Sequence, residues 1–204
     1  MTFRFCDDLG ADGFGWVVEE AMTRTSHALV AEGRVWLVDP LDWPEAIDRA
    51  CKLAEPAGVI QLLDRHDRDC ALFAERYGVP HHRVPTEPPP GSPFEVIRLL
   101  DMPGWRETAL WWRDERVLVC AESLGTTAYF LGPGEHIGVH PFLRLYQPKA
   151  LRRVARDLTP KHVLVGHGEG IHGEQVALAT AKAIRSARPG APRWIAHQIR
   201  RRRR

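Results

Sequence analysis

No apolar run in this 204-residue chain approaches the ~20 residues that cross a bilayer as a helix, so neither a membrane span nor a membrane partner is expected. The first residues, Met1-Thr2-Phe3-Arg4-Phe5-Cys6-Asp7-Asp8, lack the apolar stretch of a secretory leader. Cysteine is scarce and scattered. Cys6, Cys51, Cys70 and Cys120 form no C-x-x-C pair, which argues against a disulfide frame or a zinc ribbon and for reduced thiols in a cytoplasmic protein. A charge excess is lacking too: 28 Lys and Arg stand against 26 Asp and Glu, a net +2. Nucleic acid is therefore not an expected partner, apart from weak contacts by the one basic run, Arg200–Arg204. What is present is a 44% hydrophobic content, enough for the core of a single domain.

Two halves, joined by the rigid proline-rich stretch at 86–93, are expected within one domain over 1–199, followed by a disordered arginine tail at 200–204. Ser26–Ala31 and Arg34–Val38 read as a hairpin around Glu32-Gly33, ending at Asp39. Asp42-Trp43-Pro44-Glu45 reads as a helix start capped by Asp42, and Pro56 and Gly58 as its stop. A strand over Gly58–Leu63 precedes a helix over Cys70–Tyr77, with Leu72, Phe73 and Tyr77 inward and Gly78 closing it. In the second half, strands are expected at Phe94–Leu100, Ala109–Arg113, Arg116–Cys120 and Val163–Gly166. Leu151, Val154, Ala155 and Leu158 mark a helix, and Val176 to Ile184 a final one.

Three apolar strands run into polar ends. They are Leu62-Leu63-Asp64-Arg65-His66-Asp67-Arg68-Asp69, Val119-Cys120-Ala121-Glu122-Ser123 and Val163-Leu164-Val165-Gly166-His167-Gly168. Glycines on both sides of His167 allow a sharp turn that aims its imidazole into a cleft. Read without any wider frame, the charged run Asp64–Asp69 is equally a solvated loop before a helix, with Asp67 or Asp69 as its cap.

The order of these elements resembles the metallo-β-lactamase superfamily, an αββα fold usually holding two zinc or iron ions. The resemblance covers roughly residues 25 to 175 and implies a four-layer sandwich of mixed α/β class. Its H-x-H-x-D-H run stands here as Asp64-Arg65-His66-Asp67-Arg68-Asp69, its P-G-H turn as Pro103-Gly104-Trp105, its strand ending in G-D as Ala121-Glu122, and its final G-H-G as Gly166-His167-Gly168. Only His66 and His167 are unchanged as ligands. A two-metal centre needs ions about 3.5–4 Å apart, and neither Arg68 nor Trp105 coordinates. The site implied is eroded. It holds no metal, or one zinc, manganese or iron ion on His66, Glu122 and His167, with Asp69 completing the shell or orienting water and Asp64 a further candidate ligand. Asp69, Glu122 and His167 are then the catalytic set. In the metal-free form, Arg68 is expected to replace the cation by bridging Asp69 and Glu122.

Two functional classes follow. One is a hydrolase acting on an ester, thioester, amide or phosphodiester; the other is a non-catalytic protein binding a small molecule in the same cleft, with Trp105 as an apolar wall. An alternative is a serine hydrolase, because Ala121-Glu122-Ser123-Leu124-Gly125 resembles a G-x-S-x-G nucleophile elbow, with Asp157 and then His162, His167 or His172 downstream.

Overall fold

The computed structural model describes residues 1–66 and 68–202; Asp67, Arg203 and Arg204 lie outside it. Six strands form the first sheet in sequence order: β1 Phe3–Cys6, β2 Gly13–Val18, β3 Thr25–Ala31, β4 Arg34–Val38, β5 Glu55–Gln61 and β6 His81–Arg83. Pairing is antiparallel up to β4 and parallel from β4 through β6. Helices α1 Pro44–Leu53 and α2 Cys70–Tyr77 make the two parallel crossovers. Residues 84–93 then lead to the second sheet, made of β7 Phe94–Met102, β8 Trp105–Trp112, β9 Val117–Cys120, β12 His162–Val165 and β13 Ile171–His172 in the order β13-β12-β9-β8-β7. A two-stranded ladder, β10 Leu124–Gly125 with β11 Gly138–Val139, follows β9. The remaining helices are α3 Pro141–Leu145, α4 Lys149–Asp157, α5 Val176–Ser186 and α6 Ala191–Arg202.

The side-chain period of a strand explains the layering. In β4, Val35 and Leu37 face α1 and α2 with Ala46, Ile47 and Phe73, while Trp36 and Val38 face the second sheet with Leu110 and Val119. Val59 and Ile60 of β5 divide in the same way. Strands buried on both faces read as unbroken apolar runs, which is how they stand in the sequence. Leu151, Val154, Ala155 and Ile184 of α4 and α5 complete the core on the second sheet, giving helix, sheet, sheet, helix.

The hairpin turn forms where expected, with φ of +52° at Glu32 and +70° at Gly33, the two positive values a type I′ turn requires. Helix α2 has the expected bounds and ends on Gly78 at φ +61°, although Leu72 faces solvent. Other expectations are corrected. Trp43, not Asp42, occupies the cap position of α1, with no side-chain hydrogen bond. Pro56 and Gly58 lie inside β5, where a Cβ on Gly58 would stand 2.8 Å from the Trp36 ring, so the glycine serves close packing. The chain gains β1 and β2 ahead of the hairpin, and α5 is not the last helix. Far from starting a tail, Arg200 to Arg202 continue α6.

Candidate metal centre

Strands β4, β5, β9 and β12 all end at one rim, and the loops after them supply the site. His66 follows β5 and is buried, with Nδ1 3.0 Å from Asp39 Oδ2 and Nε2 3.3 Å from Glu122 Oε1. Asp39 follows β4 and anchors itself by accepting the Leu62 N–H at 3.0 Å. Hydrogen bonds from His66 and the charge of Arg68 outweigh its burial and hold its carboxyl below the usual carboxylate range. An ionised Asp39 accepts, so His66 carries a proton on Nδ1, and Nε2 is the nitrogen that faces the cleft and Glu122.

His167 is arranged in the same sense. Its Nδ1 lies 3.0 Å from the Met22 carbonyl, which only accepts, so the proton again sits on Nδ1. Its Nε2 is buried, has no hydrogen-bond partner among the described residues and stands 3.5 Å from Glu122 Oε1. Three possible ligand atoms, from His66, Glu122 and His167, thus lie within 4.8 Å of one another. Burial pushes the Glu122 carboxyl up, but His167, His66 and Arg65 outweigh it and hold the group well below its ordinary value. Burial and the Arg68 charge push the His66 imidazole down, yet the bonds to Asp39 and Glu122 leave its pKa raised.

Asp64 and Asp69 do not join them. Asp64 pairs with Arg106 at 3.4 Å, and Asp69 starts α2 and accepts the Asp42 N–H at 2.8 Å. The expected Arg68 bridge is also absent. Arg68 donates to the carbonyls of Thr25, of Asp39 at 2.9 Å and of Gly166 at 3.0 Å, tying the ends of β3, β4 and β12 together. Its Nη1 and Nη2 are spent on backbone, so it acts on Asp39 through its charge alone and bridges neither Asp69 nor Glu122. Arg65 takes that part instead: it donates to Glu122 Oε2 and lies 4.4 Å over the Trp105 ring. Trp105 is thus the wall beneath Arg65.

Two supports were not legible as site residues. Glu107 on β8 is fully buried and accepts from Trp105 Nε1 and from the N–H groups of Glu122 and Ser123 at 3.0, 3.0 and 2.8 Å, fixing the turn that presents Glu122. His140 packs 4.6 Å from Trp105, and burial pushes its pKa down to about 4. The sequence signals neither: Glu107 stands between Arg106 and Thr108 as on any polar strand edge, and His140 before Pro141 reads as a turn.

The elbow alternative fails on geometry. Ser123 is fully buried and followed by strand β10, where an elbow needs a helix, and His162 and His172 hydrogen-bond one another at 2.9 Å on another edge.

No protein-family model matches the sequence, and no curated protein is similar to it. Solved structures are. The metallo-β-lactamase of Hirschia baltica superposes with a TM-score of 0.62 at 13% identity, over 90% of this chain and 98% of that one. DIM-1 metallo-β-lactamase gives 0.60 at 12%, over 91% and 98%, and TMB-1 gives 0.58 at 12%, over the same shares. This chain has the metallo-β-lactamase fold. The αββα architecture expected from the strand-end motifs is therefore the one adopted. Among the described residues, no helix is long and apolar enough to cross a membrane.

Proposed function

We propose that the chain is a hydrolase of the metallo-β-lactamase fold whose centre takes one divalent metal ion on His66, Glu122 and His167. The observation that carries this reading is the convergence of two imidazole nitrogens and a carboxylate oxygen within 4.8 Å of one another, with His167 Nε2 buried and without a hydrogen-bond partner among the described residues. Two histidines with one glutamate are a common ligand set for catalytic zinc. When bound, such an ion supplies a polarised water nucleophile and a Lewis acid. The chain's own residues do the rest. Asp39 and the Met22 carbonyl orient the two imidazoles, Glu107 holds the Glu122 turn, and Arg65 fixes the second Glu122 oxygen. Arg65 and Arg68 fill positions where a second ion would need anionic ligands, so one ion is the expected load. The site opens into a cleft of about 600 Å³, lined also by Glu20, Ala21, Met22 and Arg24, a size suited to a small-molecule substrate.

Elemental analysis of protein dialysed against zinc and then buffer tests this. One ion per chain, lost in His167→Ala, supports it; none, or two retained in the parent chain, overturns it. The Arg65–Glu122 bond favours a second reading, a metal-free cleft that binds without catalysis. Zero metal together with saturable ligand binding would select it.

A further inference from the structure

The arginine run that closes the sequence plays no part in the centre described above, yet the fold brings it alongside. Gln198 Nε2 on α6 donates to the carbonyls of Ala128 at 2.8 Å and Leu131 at 3.0 Å. The segment gripped in this way contains Phe130, whose ring stacks on His167 at 6.0 Å. Arg201 lies three residues beyond Gln198, on the same helix face. It lines a cavity of about 540 Å³ whose walls include Thr23, Thr126 and Gly168. Ala21 lines this cavity and the metal cleft alike. The two spaces flank one junction, where the Gly168 N–H donates to the Thr23 carbonyl at 2.8 Å and His167 Nδ1 to that of Met22.

The cavity's two arginines differ. Arg4 is committed to Glu169 and Glu19. Arg201 has no acidic partner among the described residues. Arg200, one position earlier, points elsewhere on the helix and is not in the lining. An exposed guanidinium without an acidic partner among the described residues, at an open polar groove beside a candidate hydrolytic centre, is suited to a phosphate, which it binds through paired donors.

We infer that Arg201 is an anion-binding residue of the site and that the substrate class is phosphate-bearing: a nucleotide or a nucleic-acid strand with one phosphate on Arg201 while its reacting end lies in the His66–Glu122–His167 cleft. This rests on the hydrolytic reading, but it is tested apart from it. Metal-stripped protein, kept in chelator, is titrated into a dye-labelled adenine nucleotide and, separately, a short labelled oligothymidylate, with anisotropy as the readout at several salt concentrations. Saturable, salt-sensitive binding is expected. Arg201→Ala should weaken it about tenfold, the worth of one charge-assisted contact, while Arg200→Ala changes it less than about twofold. Saturation by the nucleotide with this sensitivity assigns a free nucleotide, and saturation by the strand alone assigns nucleic acid. Equal losses in the two variants would reduce the effect to general tail charge and overturn the inference, as would unchanged binding in Arg201→Ala or no saturation. Circular dichroism checks that both variants fold. Metal content of untreated samples reports on the hydrolytic reading alone.

Discussion

Asp39 Oδ2 and His66 Nδ1 stand 3.0 Å apart, and this one contact decides which nitrogen of His66 faces the cleft. Asp39→Asn would present an amide N–H or a weaker acceptor to Nδ1 and favour the tautomer with its proton on Nε2, aimed at Glu122. Metal affinity should fall by about 10- to 100-fold, the usual consequence of losing a carboxylate behind a histidine ligand. A competitive zinc titration with a chromophoric chelator measures it. Unchanged affinity would mean the contact is only structural.

Arg65→Ala should act in the opposite sense. It frees Glu122 Oε2 and removes a positive charge beside the ligand set, so apparent zinc affinity should rise several-fold in the same titration. A fall would show that Arg65 positions Glu122 more than it competes for it.

Arg68→Ala should leave metal stoichiometry at one and cost stability. Its guanidinium joins three strand ends through the carbonyls of Thr25, Asp39 and Gly166, and losing charge-assisted bonds in that setting costs roughly 2–4 kcal/mol. Urea midpoints report the loss. A variant as stable as the parent would make Arg68 incidental to the fold.

The legible parts of the chain were those with local chemical signatures. The Glu32-Gly33 turn and the Gly78 stop declare themselves by the backbone angles they must adopt. His66 and His167 were found because a histidine at the end of an apolar strand is placed by the strand itself. The loop between them was not legible: Asp64, Arg65, Arg68 and Asp69 follow no periodicity, so nothing local says which arginine reaches Glu122. The answer lies in Trp105, 40 residues further on, whose ring supports Arg65. Helix α6 was missed because its composition is that of a solvated tail, and the contacts that dock it, made by Gln198 and Trp194, are tertiary. The N-terminal strands hide among glycines, and with them a second buried cluster.

That cluster, away from the cleft, is expected to contribute to the acid sensitivity of the fold. Asp7 is buried beside β1 and accepts from His27 of β3 at 3.1 Å, from His172 of β13 at 3.0 Å and from the Gly170 N–H at 2.7 Å, so it clasps one sheet to the other. Burial pushes its carboxyl up, but the hydrogen bonds from His172 and His27 prevail and hold it well below the ordinary value. A carboxyl depressed in the folded state binds its proton more readily when unfolded. Its contribution is therefore complete above the unfolded value of about 3.9 and is lost as pH falls from there toward the folded one. Asp7→Asn should cost roughly 2–4 kcal/mol at neutral pH by leaving its donors poorly matched. It should also flatten the decline of stability below about pH 4. Urea midpoints across that range, compared for parent and variant, decide the matter: parallel curves would show that Asp7 is not the group whose protonation loosens the sheets.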